Sequence, residues 1–324
     1  MPILVGENVS IEALRAALPE WPDFETFYQS LLQTEVYRGK WLLARLGNFL
    51  LRRSGKKIRP LLLLYTARAS GTPTQASIVG ASLIELLHNA TLVHDDVVDD
   101  SDYRRGFFSL RGLWGNRIAV LFGDWLLARG LLVALRHHQP QLLYYTSEAV
   151  EALAEGELMQ LKRMREASLS IEGYFEVMEK KTAALFRAAC LMGAWSAGAD
   201  EETRHIAGEM GRQIGLAFQL RDDLLDWSES RLTGKPTDAD RRQRRFTFPL
   251  LWALTQVPLT ERRFLQDAPF PLVRRRLKEM GAFEQAEAVL QTYAEQAYAL
   301  AQQLPFASKL PFRELITLLL YRTQ

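Results

Sequence analysis

Hydrophobic residues recur along most of the chain at intervals of three and four, which is the spacing of one face of an α-helix. No region shows the sustained alternation of polar and apolar residues that predicts a β-strand. Gly71 predicts a helix end, and Thr72 and Pro73 predict the cap and first turn of a long helix that continues to about Asp100. A second long helix is predicted over residues 201–227. The pattern as a whole predicts an all-α fold.

The sequence shows no boundary between domains. Its 324 residues contain no repeat of 20–50 residues, no low-complexity tract and no linker that would separate helical runs. A chain of this length buries a sizeable core without disulfide bonds. We therefore expect one all-helical domain over residues 1–324, with an irregular N-terminal segment over residues 1–25.

Hydropathy and composition narrow the class of protein. The best membrane candidate, residues 118–135, is interrupted by Asp124 and Arg129, so a buried core helix is the better interpretation and no transmembrane segment is expected. The N-terminal residues lack the pattern of a signal peptide, and the lone Cys190 excludes an internal disulfide and a cysteine-cluster metal site. Lys and Arg (40) nearly balance Asp and Glu (38), which argues against nucleic-acid binding. We expect a cytoplasmic protein with Cys190 buried.

Each of the two long helices ends in the same pattern, D-D-apolar-apolar-D. Asp95 and Asp99 stack on one helical face, as do Asp222 and Asp226, because residues four apart are neighbours on a helix. Two unit charges about 4 Å apart repel by ~4 kcal/mol at an effective dielectric of about 20, and the helix dipole also disfavours anions at this end. Bound Mg²⁺ would relieve both effects. A single cluster is more often a solvated acidic face, but the repeated pattern favours the metal site.

Basic groups lie before, between and after the clusters. Lys56 and Arg59 stand in the segment SGKKIRP, at a predicted loop-to-helix junction that suits phosphate. His88 lies two turns before Asp95 on the same face. Taken singly, each is more often a solvated cation or a satisfied core histidine. Together with the carboxylates they match a site that holds diphosphates through Mg²⁺ and basic side chains; the further cations are Arg104, Arg105, Lys180, Lys181 and Lys235.

Three glycines, Gly208, Gly211 and Gly215, precede Asp222 on the second long helix. Each costs about 0.5–1 kcal/mol relative to alanine inside a helix, so a reason for them is expected. Room for a ligand beside the carboxylates and close packing of two helices explain them equally well.

These residues and motifs resemble the trans-isoprenyl diphosphate (polyprenyl) synthases of medium- and long-chain type. The resemblance runs in order from Gly55 to Pro249, through the segments GKKIRP, LLHNATLVHDDVVDD, RRG, GDWLLARG, EGELMQL, KKTAALF, GLAFQLRDDLLD and GKP. It implies an isoprenoid-synthase-type helical bundle around a central cavity, commonly a homodimer, with three Mg²⁺ ions in each active site. The sequence departs from the family pattern after Lys235, where Arg244 and Arg245 replace the common Gly and Lys.

The resemblance also implies a role for each matching residue. The diphosphate of isopentenyl diphosphate would be held by Lys56, Arg59, His88 and Arg105. The allylic diphosphate would be held by Arg104, Lys181, Thr182, Gln219 and Lys235. The metal ligands would be Asp95, Asp96, Asp99, Asp222, Asp223 and Asp226, and the catalytic set Asp95, Asp96, Asp99, Lys181, Asp222 and Asp223.

The implied reaction is the head-to-tail condensation of isopentenyl diphosphate with farnesyl or a similar allylic diphosphate. The growing tail would pass the small residues Ala90 and Thr91 and stop deeper, at Leu87 and Ile84 or at the pair Tyr144 and Tyr145. A product of about six to eight isoprene units (one per ~5.4 Å helical turn) is expected, for quinone side chains. Two alternatives stay open: a catalytic subunit that needs a partner chain, and a class I terpene cyclase.

Overall fold

The computed structural model describes residues 10–33, 41–53, 55–104, 107–165, 170–228 and 247–320. This part of the chain is built almost entirely of helices, which confirms the all-α prediction. A π-helical turn (Glu179–Ala183) joins α8 to α9, and a 3₁₀ turn (Ala307–Lys309) precedes the last helix. The helices are α1 (Ile11–Ala16), α2 (Trp21–Gln33), α3 (Trp41–Arg52), α4 (Ile58–Ser70), α5 (Gln75–Val98), α6 (Leu110–Arg136), α7 (Pro140–Arg165), α8 (Ile171–Met178), α9 (Ala184–Ser196), α10 (Glu201–Asp226), α11 (Phe248–Gln256), α12 (Leu259–Asp267), α13 (Phe270–Glu279), α14 (Ala282–Ala301) and α15 (Phe312–Leu320).

The helix at the centre of the bundle is α9. α9 packs against α4, α5, α7 and α10, and most of its side chains are buried. Cys190 is fully buried on this helix, as predicted, and burial raises the pKa of its thiol to about 12. Because α5 and α10 both pack on α9, the two aspartate-bearing helices flank one common element.

The helix-boundary signals were correct at Gly71 and wrong by two residues at the next cap. Gly71 ends α4, where a side chain would meet the carbonyl oxygen of Ala197 at 2.4 Å. The cap of α5 is Thr74 rather than Thr72: its hydroxyl accepts from Ala76 N, while Thr74 N donates to the Ser77 hydroxyl. This reciprocal capping arrangement satisfies two backbone donors, which Thr72 could not do from outside the first turn.

The expectation of an irregular segment over residues 1–25 is wrong for the part that the structure describes. Ser10 caps α1 by accepting a hydrogen bond from Ala13 N, and α2 begins at Trp21. The buried side chains of Leu14 and Phe24 belong to the hydrophobic core, and the Tyr65 hydroxyl on α4 donates to the Leu14 carbonyl at 2.9 Å. Packing against α4 therefore orders this segment.

Two short strands, β1 (Tyr103–Arg104) and β2 (Phe107–Phe108), form an antiparallel hairpin between α5 and α6. Arg111 fixes the base of this hairpin through bonds of 2.9 Å to Asp100 and to Asp102. Ser109 adds a hydrogen bond from its hydroxyl to the Ser101 carbonyl at 2.7 Å. The loop that follows the first aspartate cluster is thus held in place from the start of α6.

The prediction of a buried core helix over residues 118–135 holds for only one side of α6. By length and composition α5 and α6 could each cross a membrane, but 83% of the apolar window of α5 is buried in the bundle, against 44% for α6. One side of α6 packs along α5, whereas Leu121, Leu131 and Leu135 on the other side are exposed. Periodicity could not separate a helix that is buried all round from one with an uncovered apolar side.

Candidate active site

The first aspartate cluster closes the C-terminal end of α5. Asp99 is the C-cap residue, and its N–H donates to the Asp95 carbonyl at 2.8 Å. Asp95 and Asp99 are partly exposed, whereas Asp96 is buried. The cluster therefore presents its first and last carboxylates to the solvent side at the negative end of the helix dipole, where a cation is favoured.

The second cluster, at the end of α10, repeats this arrangement. Asp222 is exposed and Asp226 partly exposed, but Asp223 keeps only 2% of its surface. Both Asp223 oxygens are hydrogen-bonded: Oδ2 accepts from the Tyr174 hydroxyl and from Phe248 N at 2.8 Å each, and Oδ1 accepts from Gln219 Nε2 at 2.9 Å. Burial is the largest effect and raises the pKa of Asp223 to about 7. This predicted metal ligand thus links α10 to α8 and α11.

A hydrogen-bonded chain connects the second cluster to the π-helical turn. Thr182 Oγ1 donates to Gln219 Oε1 at 2.7 Å, and Gln219 in turn donates to Asp223. On the same turn Lys181 Nζ lies 2.7 Å from Glu157 and 3.0 Å from Gln160 Oε1, both on α7. The structure therefore brings Lys181, Thr182 and Gln219 into one region, and π-helical turns are frequent at functional sites.

Glu157 and Gln160 were not singled out by sequence reasoning, although both stand in the matched segment EGELMQL. Gly156 in that segment explains how α7 approaches the π-helical turn: a Cβ there would lie 2.7 Å from Lys181 N. The sequence signal for this contact was Gly156 between two glutamates of a predicted helix. That pattern does not predict which helix packs against it.

Two of the three glycines of α10, Gly211 and Gly215, serve close helix packing. A Cβ on Gly215 would lie 2.5 Å from Ala183 Cα, and one on Gly211 would lie 2.6 Å from the Phe186 carbonyl oxygen. A Cβ on Gly208 would meet only side-chain atoms, the end of Leu191 at 3.0 Å and Arg187 Nε at 3.7 Å. The alternative of a glycine face left open for a ligand is therefore wrong, because α9 and the π-helical turn fill that space.

Three of the four predicted isopentenyl-binding residues, Lys56, Arg59 and His88, lie at the start of α4 and on α5. Arg59 Nη1 and His88 Nε2 lie 3.0 Å apart, and the Arg59 guanidinium stands over the Phe186 ring at 4.6 Å. Lys57 adopts a left-handed conformation (φ 45°), so that its side chain is buried and pairs with Glu25 at 3.0 Å. Its neighbour Lys56 is exposed. The turn thus separates a buried, ion-paired lysine from one that is exposed to solvent.

A buried carboxylate, Glu85, lies beneath these cations and was missed by sequence reasoning. It is 3% exposed, accepts a hydrogen bond from Asn89 Nδ2 at 3.2 Å, and Asn89 also donates to the Tyr28 hydroxyl at 3.1 Å. Burial raises the pKa of Glu85, and the charges of Arg59, Lys57 and Arg15 oppose that rise. The sequence signal for a buried carboxylate was a single acidic residue within an apolar stretch, one helical turn before His88.

Several predicted site residues lie where side chains are not described. Arg104 belongs to the β1 backbone, while Arg105, Lys235, Arg244 and Arg245 lie outside the described residues. Their assignments stay predictions.

The predicted chain-length residues lie along α5 behind the first cluster. Ile84, Leu87 and Ala90 are buried and Thr91 is partly buried. Tyr144 on α7 is 55% exposed at the surface of the chain, whereas its neighbour Tyr145 is partly buried against the core. Ile84 and Leu87 are therefore better candidates for a channel floor than Tyr144.

The donors of both clusters fit Mg²⁺, which prefers carboxylate oxygens and usually shares its coordination with substrate phosphates. Among the residues that the structure describes, no three His, Cys, Asp or Glu side chains converge closely enough to hold an ion by themselves. The solvent-accessible pairs Asp95/Asp99 and Asp222/Asp226 each offer two carboxylates, which suits an ion shared with a diphosphate.

Comparison with known proteins shows what the chain as a whole is similar to. The sequence profile of the family described as polyprenyl synthetase matches residues 40–269. The chain is 39% identical to the octaprenyl diphosphate synthase of Escherichia coli over 214 residues, 66% of each chain. It is 32% identical to component 2 of the heptaprenyl diphosphate synthase of Bacillus subtilis, over 87% of this chain and 83% of that protein. A crystal structure of a polyprenyl synthase from Caulobacter crescentus, complexed with calcium and isoprenyl diphosphate, superposes with a TM-score of 0.84 at 30% identity over 97% of both chains.

Proposed function

This chain belongs to the polyprenyl synthetase family, the trans-prenyltransferases that make polyprenyl diphosphates, and from that premise we propose its reaction. It condenses isopentenyl diphosphate with farnesyl or a similar allylic diphosphate, head to tail, to give a medium- or long-chain all-trans polyprenyl diphosphate. The observation that carries the proposal is the pair of matching carboxylate clusters on two helices that flank α9, with Arg59 and His88 paired on α4 and α5.

The allylic diphosphate binds between the two clusters. Asp95, Asp99, Asp222 and Asp226 would hold Mg²⁺, three ions in the family pattern, with the buried Asp96 beside the first pair. The buried Asp223 keeps the end of α10 in position. When bound, Mg²⁺ neutralises the charge that develops on the departing diphosphate. The Caulobacter relative, complexed with calcium and isoprenyl diphosphate, supports a site where a divalent cation and a diphosphate meet.

Two separate groups of residues bind the two diphosphates. Lys56, Arg59, His88 and Arg105 hold isopentenyl diphosphate, while Arg104, Lys181, Thr182, Gln219 and Lys235 hold the allylic diphosphate. Loss of the allylic diphosphate leaves an allylic cation, which the isopentenyl double bond attacks. A proton then leaves the new chain to the released diphosphate. The side chains on this path stabilise charge, and none acts as a covalent nucleophile.

The uncovered apolar side of α6 supports a homodimer. Leu121, Leu131 and Leu135 form an exposed apolar surface, and a second copy of α6 would cover them.

We also propose that the enzyme acts in the cytoplasm and that its product supplies the side chains of quinones.

A catalytic subunit that needs a partner chain is the second candidate. The similarity to component 2 of the B. subtilis heptaprenyl diphosphate synthase favours it, because that protein is named as one component of a synthase. A terpene cyclase is less well supported, since it has no second diphosphate for the paired Arg59 and His88 to bind.

Steady-state kinetics of the purified chain alone test the assignment. Arg59→Gln is expected to raise the KM for isopentenyl diphosphate at least tenfold and to leave the KM for farnesyl diphosphate within about twofold. Arg68→Gln, which removes an arginine of the same helix that pairs with Glu20, is the control. Equal effects on both substrates would contradict the assignment, and a folded but inactive wild-type chain would favour the partner-dependent subunit.

A further inference from the structure

A surface rich in aromatic and arginine side chains lies beside the hairpin that follows the first aspartate cluster. It is formed by the outer side of α3, the first turn of α6 and the β1–β2 hairpin, and we call it the α3–hairpin face. The residues that define it are Trp41, Arg45, Arg52, Arg53, Phe107 and Leu113.

Direct contacts make this face continuous. The Arg53 guanidinium stands over the Phe49 ring at 4.3 Å and over the Phe107 ring at 5.2 Å, and it donates to the Phe108 carbonyl. Phe49 packs edge-on against Trp114 at 4.9 Å. Between α3 and α6 the face contains a groove of about 760 Å³.

The chemistry of the face fits an anionic and partly apolar partner. Three arginines and no carboxylate are found among the described residues that line the groove. The side chains of Trp41 and Phe107 are 69% and 63% exposed, and neither residue has a role in the proposed reaction that would explain this exposure. Amphipathic rings at the level of lipid headgroups, with arginines that bind phosphate, are the usual elements of a surface that lies on a bilayer.

The face is separate from the apolar side of α6 that supports the homodimer. Gly115 (φ 80°) breaks the helical geometry of α6, so Leu113 lies before the kink while Leu121 and Leu131 lie beyond it. A second copy also fits the face poorly. A two-fold interface brings the same patch together with itself, and three arginines would then face three arginines without a carboxylate among the groove residues.

We propose that the α3–hairpin face docks this protein onto the surface of a bilayer that contains anionic phospholipids. The inference rests on the proposed function, because a polyprenyl diphosphate is an amphiphile whose hydrocarbon tail belongs in a membrane. The hairpin begins four residues after Asp99, so docking places the mouth of the candidate site next to the lipid. The face thereby gives the product a short route out of water.

Vesicle co-sedimentation of the full chain without substrate tests the docking. The wild type is expected to bind vesicles of phosphatidylcholine with 30% phosphatidylglycerol at least tenfold more tightly than phosphatidylcholine alone, and to release them in high salt. Arg45→Gln/Arg52→Gln should weaken binding about 25-fold, about fivefold for each arginine. Trp41→Ser should weaken it a further severalfold. Arg45→Lys/Arg52→Lys should keep most of the binding, because the attraction depends on charge.

Matched controls lie on α12, which is not part of the α3–hairpin face. Arg263→Gln and Leu259→Ser remove an exposed arginine (91%) and an exposed leucine (78%) and should leave binding unchanged. The proposal is overturned if wild type fails to sediment with the anionic vesicles, if the α3 variants bind as well as the controls, or if the α3 variants lose a dimer on size-exclusion chromatography. Prenyl transfer assayed in detergent with the same preparations separates these outcomes from a failure of the proposed function, since the α3 variants should keep wild-type rates there.

Discussion

The hydroxyl of Tyr174 donates a hydrogen bond of 2.8 Å to Asp223 Oδ2, and both residues are buried. This contact joins α8 to the end of α10, one residue away from the exposed Asp222. Asp223 also accepts from Phe248 N, so a single interior carboxylate fixes the second aspartate cluster against two other helices. The geometry of the exposed carboxylates therefore depends on a group that does not itself face the solvent.

Replacing Tyr174 tests this dependence. Tyr174→Phe removes one donor from a buried carboxylate and should lower the free energy of unfolding by about 1.5–3 kcal/mol. It should also lower kcat about tenfold, because Asp222 and Asp226 lose their fixed position. Tyr65→Phe is the matched control, since it removes an equally buried hydroxyl that donates to the Leu14 carbonyl. The control should lose stability and keep kcat; a Tyr174→Phe enzyme with normal kcat would refute the positioning role.

The packing role of the α10 glycines predicts a stability loss. Gly215→Ala forces a Cβ to within 2.5 Å of Ala183 Cα, and overpacking of this kind costs about 1–3 kcal/mol, more than the helix propensity gained. Gly208→Ala meets only the flexible side chains of Leu191 and Arg187 and should be neutral or slightly stabilising. Urea unfolding curves of both variants measure the difference. If the two variants were equally stable and only Gly215→Ala lost activity, the result would contradict the packing role and favour a glycine that leaves room for a ligand.

The buried Glu85 predicts a dependence of stability on pH. Because burial raises its folded-state pKa above the usual value of 4.5, the folded protein holds more protons than the unfolded chain from about pH 4.5 up to the folded pKa. The contribution of Glu85 to stability therefore falls as pH rises through that window. The unfolding free energy of Glu85→Gln, relative to wild type, should increase with pH by up to ~1.4 kcal/mol per unit.

Urea titrations at several pH values between 4 and 8 would measure this trend, with Glu295→Gln on the exposed side of α14 as the control for loss of a carboxylate. A relative stability of Glu85→Gln that stays constant, or decreases with pH, would contradict the raised pKa.

The buried residues of α5 predict how product length can be changed. Ala90 precedes Asp95 by five residues and is fully buried, so Ala90→Phe should block the channel and shorten the product by several isoprene units. Leu87→Ala removes side-chain volume deeper along the helix and should shift the product in the opposite direction. Chromatography of the dephosphorylated alcohols measures both shifts, with thermal unfolding as a check on overpacking. Unchanged lengths in both variants would exclude threading of the tail along α5.

The long helices could be predicted from sequence because their apolar periodicity is uninterrupted. α10 ends within one residue of its predicted limit, and both aspartate clusters lie at helix ends as expected. The interior position of Asp96 and Asp223 also follows from helical geometry. Adjacent residues on a helix are about 100° apart, so the second aspartate of each pattern cannot share the face of the first and last.

Other features depend on tertiary contacts that periodicity does not record. The left-handed turn at Lys57 decides which lysine of the GKKIRP segment is buried, and Glu25, its partner, lies 32 residues earlier in the chain. The choice between Thr72 and Thr74 as a cap depended on the position of Ser77. The sequence of α6 is typical of a core helix although one of its sides is exposed. An apolar residue does not indicate whether it packs against its own chain or against another molecule.

The central claim is that the two clusters, together with the isopentenyl-binding cations, elongate an allylic diphosphate. Mass spectrometry of the product formed by the purified chain from ¹³C-labelled isopentenyl diphosphate, farnesyl diphosphate and Mg²⁺ tests it most directly. The expected product is a linear polyprenyl diphosphate of about six to eight units in total, labelled in every unit added to the farnesyl primer, and absent with Asp95→Ala or Asp222→Ala. An unlabelled cyclic hydrocarbon, or wild-type product lengths in either aspartate variant, would contradict the claim.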